Sequence, residues 1–274
     1  MLAERKKELE QKCLEYRRSL VDLLYKIQTG HPGGSLSCCE ILTVLYHQVM
    51  NVNPSNPKQE GRDRLILSKG HGAPMLYLNL ADRGFFPKEE LETLRQINSR
   101  IQGHPCAHKT PGVELSTGPL GLGLGAGLGM ALAERMKGSK AYIYVVLGDG
   151  EIQEGAVWEA AQCAAKYGTG NLIAILDNNG VQLDGTVEEI MPQGDIKAKW
   201  RDFGWNVLSC DGHDVEALEN AINQAKDCKN KPSIIIAKTE KGKGISFMEG
   251  KNIWHGKAIG DQDYAAAKAC LGGN

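Results

Sequence analysis

Apolar residues recur every three or four positions at the start of the chain: Leu9, Cys13, Tyr16, Leu20, Leu23, Leu24 and Ile27, with charges between them. That spacing predicts an amphipathic helix over the first 28 residues, stopping at Thr29-Gly30 ahead of His31-Pro32-Gly33-Gly34. A second helix is predicted over about Cys38 to Met50, ended by the turn-rich stretch 51–57. Leu65-Ile66-Leu67 is a short apolar run, followed by Ser68-Lys69-Gly70-His71-Gly72 and an apolar helix through Leu80. Residues 87–101 read as helical, with Pro87 near the first turn, and 103–118 as a loop.

The pattern changes in the middle of the chain. Tyr142–Leu147 and Leu172–Leu176 are short β-branched and apolar runs, the mark of strands buried on both faces, and Ala156–Tyr167 between them has helical spacing. Asn206–Leu208, Val215–Lys226 and Ser233–Ala237 repeat strand, helix and strand. Each such unit implies parallel strands joined by a right-handed crossover. The alternation predicts an α/β chain: an open, mostly parallel sheet with helices on both faces. The last dozen residues, ending Leu271-Gly272-Gly273-Asn274, read as a frayed end.

Composition narrows the class. With 274 residues, 42% hydrophobic and 24% charged, the chain is long and apolar enough for a full core, and no repeat or linker divides it. One large domain, 1–274, with a helical N-terminal extension is expected. A net charge of −1 argues against a broadly basic nucleic-acid binder. The uncharged run Leu115–Ala133 is 19 residues, but six are glycine and one is proline. A membrane span needs ~20 predominantly apolar residues, so close packing of a small-residue helix is the better reading. Gly121–Ala126 also fits a dinucleotide-binding fingerprint, but a polar loop rather than a strand precedes it. The charged start lacks the apolar segment of a secretory signal. The eight cysteines form no C-x-x-C pair and read as reduced thiols, which places the protein in the cytoplasm, away from membranes.

In open parallel sheets, ligands sit outside the carboxyl ends of the strands. Two polar clusters fall there, Gly148-Asp149-Gly150 and Asp177-Asn178-Asn179. A carboxylate from Asp149 and an amide oxygen from Asn179 are hard ligands suited to Mg²⁺ or Ca²⁺, and glycines allow phosphate to approach backbone N–H groups. Glu151 and Glu154 follow at a helix start, where negative charge is favourable. Taken alone, the first cluster is also an ordinary turn and helix cap. Four of the seven histidines, His31, His71, His104 and His255, sit beside Gly or Pro and suggest a shared cleft. His47, His108 and His213 fall in no such context and read as structural or surface residues. Lys241, in a glycine-rich turn after a strand, and Lys69, before Gly70-His71, are placed to reach a phosphate, although a solvated loop lysine would look the same.

Gly148-Asp149-Gly150 with Asn179 resembles the thiamine diphosphate motif. GHPGG (30–34), SKGHGAPMLY (68–77), GHP (103–105), STGPLGLGL (116–124), GDGEIQEG (148–155), KTEKGKG (238–244) and WHG (254–256) resemble the transketolase set in its order, from about residue 10 to 260. The resemblance covers the pyrophosphate-binding part and not the pyrimidine-binding or C-terminal domains. It implies a thiamine diphosphate-binding fold and a transketolase, transferring a two-carbon ketol unit between sugar phosphates. Asp149, Asn179 and the Val181 carbonyl would hold Mg²⁺, with Ca²⁺ or Mn²⁺ as substitutes. Gly34, Lys69, His71, Gly118, Pro119, Leu120, Gly148, Gly150, Glu154, Asn179, Lys241 and His255 would line the cofactor. His71 and His255 would lie near its diphosphate and reactive ring. His31 and His104 would contact the sugar, His104 also assisting proton movement. Gly34 departs from members with a hydroxyl residue there, so only backbone is on offer.

The resemblance also implies a glutamate on the pyrimidine ring, and no acid of this chain sits in the matching motif. The expectation is therefore an N-terminal subunit that works with a C-terminal subunit carrying the pyrimidine-binding domain, in an assembly such as α2β2. The start at Met1 and the end at Asn274 would suit a separate subunit, as they would a cut chain. Dihydroxyacetone synthase, deoxyxylulose-phosphate synthase, a 2-oxoacid dehydrogenase component and a non-catalytic scaffold stay open as alternatives. GHPGG with SKGHGAPMLY favours the transketolase group.

Overall fold

The computed structural model describes residues 1–272. Helix α1 (Ala3–Ile27) buries Leu9, Cys13, Tyr16, Leu20 and Leu24 on one face, as the spacing of its apolar residues predicts. The chain breaks at Thr29-Gly30 as expected, and the HPGG stretch then starts a short, wholly buried helix, α2 (Pro32–Ser37). Pro32 serves as its first residue, where the missing N–H costs nothing. The predicted helix 38–50 is α3 (Cys39–Val44) running into a wider turn at Leu45–Val49. After β1 (Arg64–Leu67) and α4 (Ala73–Asp82), the helix expected over 87–101 reduces to a tight turn at Lys88–Thr93. Arg95 and Asn98 adopt left-handed φ of 63° and 66°, which a helix cannot carry through.

The rest of the chain alternates. Helix α5 (Leu122–Met136) precedes β2 (Ile143–Gly148), α6 (Gly155–Lys166) and β3 (Leu172–Asn178). Then come α7 (Val187–Ile190), α8 (Ile196–Asp202), β4 (Asn206–Asp211), α9 (Val215–Asp227) and β5 (Ser233–Lys238). The frayed end is also corrected: Asp261–Cys270 is helix α10. It docks on α1 by stacking Tyr264 on Tyr25 at 4.0 Å, and Tyr264 and Lys268 both reach Asp22. Of the residues named as frayed, Gly273 and Asn274 lie outside those described.

The five strands form one parallel sheet in the order β1-β2-β3-β5-β4. Helices cover both faces. Tyr144, Val146, Ile173, Ile175 and Ile235 pack under α1, α3, α4 and α9, while Val145, Leu147, Ala174, Leu176 and Ile236 pack under α5, α6 and the Trp200–Trp205 pair. The alternation of side chains along each strand produces this division. The small-residue helix α5 sits unusually close to the sheet. A Cβ on Gly127 would lie 2.6 Å from Val145, and one on Gly123 would collide with Ser68. No helix among the described residues is long and apolar enough to cross a membrane.

Candidate functional site

Register places the chemistry. Gly148 on β2 lies opposite Asp177 on β3, which lies opposite Ala237 on β5, so the three strands end side by side. The loops leaving them, with the one leaving β1, wall a cavity of about 330 Å³. Gly34, Lys69, His71, Leu120, Gly148, Asp149, Gly150, Glu154, Asn179, Val181, Lys241 and His255 all line it.

Asp149 is 3% exposed, and its carboxylate accepts N–H donors from Gly150 (2.8 Å) and Gly180. Burial, with Asp177 nearby, pushes its pKa up to about 6. Asn179 turns its side-chain oxygen to its own loop, accepting from the Val181 N–H at 3.1 Å. Lys241 sends its ammonium to the carbonyls of Val181 and Gln182, each 3.1 Å away, and to His255 Nδ1 at 3.0 Å. An ammonium only donates, so His255 keeps its proton on Nε2. Burial and the neighbouring Lys69 bring Lys241 down to about 8. Beneath this layer lies a buried ion pair. Asp177 accepts from Lys69, from Ser37 at 2.6 Å and from Thr239, while Lys69 also donates to the Gly34 carbonyl at 2.9 Å.

The four glycine- or proline-flanked histidines meet around His31. Its ring centroid is 5.7 Å from His71, 5.8 Å from His104 and 5.5 Å from His255, and His71 stands 4.8 Å from His255. Burial, followed by Arg95, lowers His31 to about 4; burial and Lys241 lower His255 to about 3. His71 and His104 are lowered as well, each chiefly by burial. The set is neutral at neutral pH. His31 and His104 reach this cluster without lining the cavity, and Gly118 packs beside the His104 ring. Glu154 stands exposed on the lining, whereas Gly118 and the exposed Pro119 fall outside it.

Sequence reasoning missed several members. Glu151 is not a solvated helix-start charge but is 2% exposed, accepting from Ser68 Oγ and from the Gly121 and Gly148 N–H groups at 3.0 Å each. It ties three loops of the site together, and its burial raises its pKa. Arg95 donates to His31 Nδ1 at 3.3 Å and to Thr29 at 2.9 Å. Its only sequence signal was charge. His213 meets the structural half of its reading, since it bonds both Glu40 and the Glu240 N–H, a pairing that nothing local in the sequence specifies.

The donor set suits a divalent cation and a phosphorylated ligand. Asp149, Asn179 and the Val181 carbonyl offer three hard oxygens on adjacent loops, and that carbonyl already accepts a hydrogen bond from the Lys241 ammonium. Gly34 keeps one wall clear, because a Cβ there would come within 2.9 Å of the His71 ring. Residues 9–274 match the family described as transketolase, thiamine diphosphate binding domain. The chain belongs to the transketolase family.

Its relatives in that family include chains of similar length and much longer ones. It is 42% identical to the 6-deoxy-6-sulfo-D-fructose transketolase subunit SqwG of Clostridium sp. (strain MSTE9), with 98% of each chain covered. It is 45% identical to an apulose-4-phosphate transketolase subunit of Actinobacillus succinogenes, with 91% of each covered. Against transketolase 2 of Escherichia coli the identity is 38%, covering 92% of this chain but 39% of the relative. The solved transketolase of Leishmania mexicana superposes with a TM-score of 0.92 at 33% identity, over 97% of this chain and 41% of that one. The chain thus matches subunit-type transketolases nearly end to end and spans about two-fifths of the long ones.

Proposed function

We propose that this chain is the N-terminal, cofactor-holding subunit of a transketolase. It would move a two-carbon ketol unit from a ketose phosphate to an aldose phosphate once a second subunit completes the site. The convergence of Asp149, Asn179 and the Val181 carbonyl beside Lys241 and four neutral histidines carries this reading. The chemistry supplied by bound thiamine diphosphate is a nucleophilic carbon and an electron sink for breaking and remaking the bond beside a ketose carbonyl. Asp149, Asn179 and Val181 would hold Mg²⁺, and Lys69 and Lys241 would offset diphosphate charge. His31 accepts from Arg95 at Nδ1, so its Nε2 carries the proton and can donate to a sugar hydroxyl. His255 offers Nε2–H in the same way, and His104, at the open side, can take up or return a proton.

The partner would supply the pyrimidine-side glutamate and the missing wall. Leu120 and Leu183, the latter 57% exposed, stand on the cavity wall, and Leu122, Ile190, Met191 and Ile253 are exposed on segments that adjoin lining residues in sequence or by hydrogen bond. Such a patch marks a protein–protein interface. We place the assembly at two copies of each subunit, in the cytoplasm, where the free cysteines stay reduced. Two relatives are named for 6-deoxy-6-sulfo-D-fructose and apulose-4-phosphate, which directs the substrate search to ketoses with a terminal anionic group beyond the straight-chain pentose phosphates. The test is a ketol-transfer assay of the chain alone and with its partner, paired with calorimetry against thiamine diphosphate and Mg²⁺. Turnover by the chain alone, or no uptake of the cofactor by the assembled pair, would refute the reading.

A further inference from the structure

Three residues from distant parts of the chain form a fully bonded chain under the Lys241 loop. Arg17 on α1 and Glu40 on α3 are 7% and 5% exposed. The Glu40 carboxylate accepts Arg17 Nη1 at 2.6 Å, Arg17 Nη2 at 2.9 Å and His213 Nδ1 at 2.8 Å. His213, between β4 and α9, accepts the Glu240 N–H at Nε2, 2.8 Å away, so its single proton must sit on Nδ1 and point to Glu40. At the other end, Arg17 Nε donates to the Lys243 carbonyl at 3.0 Å. Gly244 leaves room for that approach, since a Cβ there would lie 2.9 Å from Arg17 Cδ.

The two outer ends of this chain therefore grip two backbone groups of one loop, Glu240 N–H and Lys243 C=O, with Lys241 between them. We infer that Arg17, Glu40 and His213 form a positioning relay that clamps the 240–243 loop and thereby sets the Lys241 ammonium against Val181 and His255. The inference rests on the cofactor reading for its purpose. A buried ion pair adds little stability over an apolar set of similar volume. What an apolar set would not supply is a fixed donor and a fixed acceptor for the two loop groups. Hydrogen-bonded partners that orient metal ligands typically matter by about 10- to 100-fold in affinity, and the lower end of that range is the effect expected of a clamp acting through a loop.

Two substitutions separate positioning from bulk packing. In His213→Gln the side-chain oxygen falls near the Nε2 position and keeps the bond from Glu240. In His213→Asn the amide falls near Nδ1, keeps the bond to Glu40 and releases the loop. Each variant loses one hydrogen bond, so a purely structural role predicts equal effects. The relay predicts that His213→Asn speeds amide exchange across residues 239–250 of the ligand-free full chain and weakens thiamine diphosphate binding, with Mg²⁺ present, by about tenfold. His213→Gln, which keeps the loop bond and loses only its tether to Glu40, shifts both in the same direction but clearly less. Wild-type exchange in His213→Asn, or equal loosening in both variants, overturns the relay. Loosened exchange with unchanged cofactor affinity overturns its purpose, and so does wild-type affinity in Lys241→Met. If the wild-type chain takes up no thiamine diphosphate, the cofactor reading fails, and the exchange comparison still decides the clamp.

Discussion

Lys69 and Asp177 form an ion pair with side chains 1% and 0% exposed, at the point where β1 and β3 end. Burial opposes the charge on both, yet each holds the other ionised: Asp177 lies below the usual carboxylate range and Lys69 above the usual ammonium range. The pair also carries the Gly34 carbonyl and the Ser37 and Thr239 hydroxyls, so it underlies both the histidine cluster and the Lys241 loop. Removing one partner strands the other. Lys69→Met should destabilise the chain by about 3–5 kcal/mol. Lys69→Met with Asp177→Leu should cost clearly less than the sum of the two single changes. Urea unfolding of the four proteins in a double-mutant cycle measures this; additive losses would contradict it.

Asp149 couples metal binding to pH. With a pKa near 6, it is partly protonated in mildly acidic solution, whereas a cation needs the carboxylate. Mg²⁺-dependent uptake of thiamine diphosphate should weaken as pH falls through 6 and release a proton on binding in that range. Without ligand the sign is opposite. The folded pKa is above the unfolded value of 3.8, so Asp149's contribution to stability declines as pH rises from about 4 to 6. Calorimetry at pH 6 in two buffers of different ionisation enthalpy counts the proton. In Asp149→Asn both the proton release and the binding should disappear.

The histidine cluster predicts acid lability of a particular shape. His31 near 4 and His255 near 3 are depressed from 6.5, so below that value the unfolded chain binds more protons than the folded one. Stability from these groups is intact above pH 6.5 and is lost as pH falls from there toward 4. His31→Gln and His255→Asn should each flatten the fall in urea midpoint between pH 6.5 and 4.5. An unchanged slope in both would mean that the rings are not held neutral by burial.

What could be read from the sequence follows from the range of the forces involved. Tyr142–Leu147 and Leu172–Leu176 announce themselves because strands buried on both faces need continuous apolar runs. Asp149 and Asn179 were legible because a parallel crossover brings successive strand ends together. The misses were decided by distant contacts. Helix α10 has little apolar pattern of its own and is held by Tyr25, Asp22 and Arg18 of α1. The helical pattern over 87–101 yields at Arg95, whose left-handed backbone accompanies its bonds to Thr29 and His31. Glu151 looked like a helix-start charge because nothing local shows that Ser68 and Gly121 close over it. His213 gave no sign because Glu40 lies 173 positions away.

The exposed apolar rim separates folding from assembly. Leu122 is 57% exposed and Met191 56%, so neither contributes much to the core of this chain. Surface substitutions of this kind usually change stability by no more than about 0.5 kcal/mol. Leu122→Asp and Met191→Asp should therefore leave the unfolding midpoint of the isolated chain near wild type. A charge at the apolar centre of an interface is another matter, since it would be buried against the partner without a counterion. Both variants should raise the dissociation constant of the two-subunit complex at least about tenfold, which is about 1.4 kcal/mol, and lower ketol-transfer activity at limiting partner concentration. Light scattering and activity titrated against the partner measure the two effects. If activity is restored at saturating partner, the defect lies in association and the chemistry of the site is intact. Wild-type affinity in both variants would move the interface elsewhere on the chain.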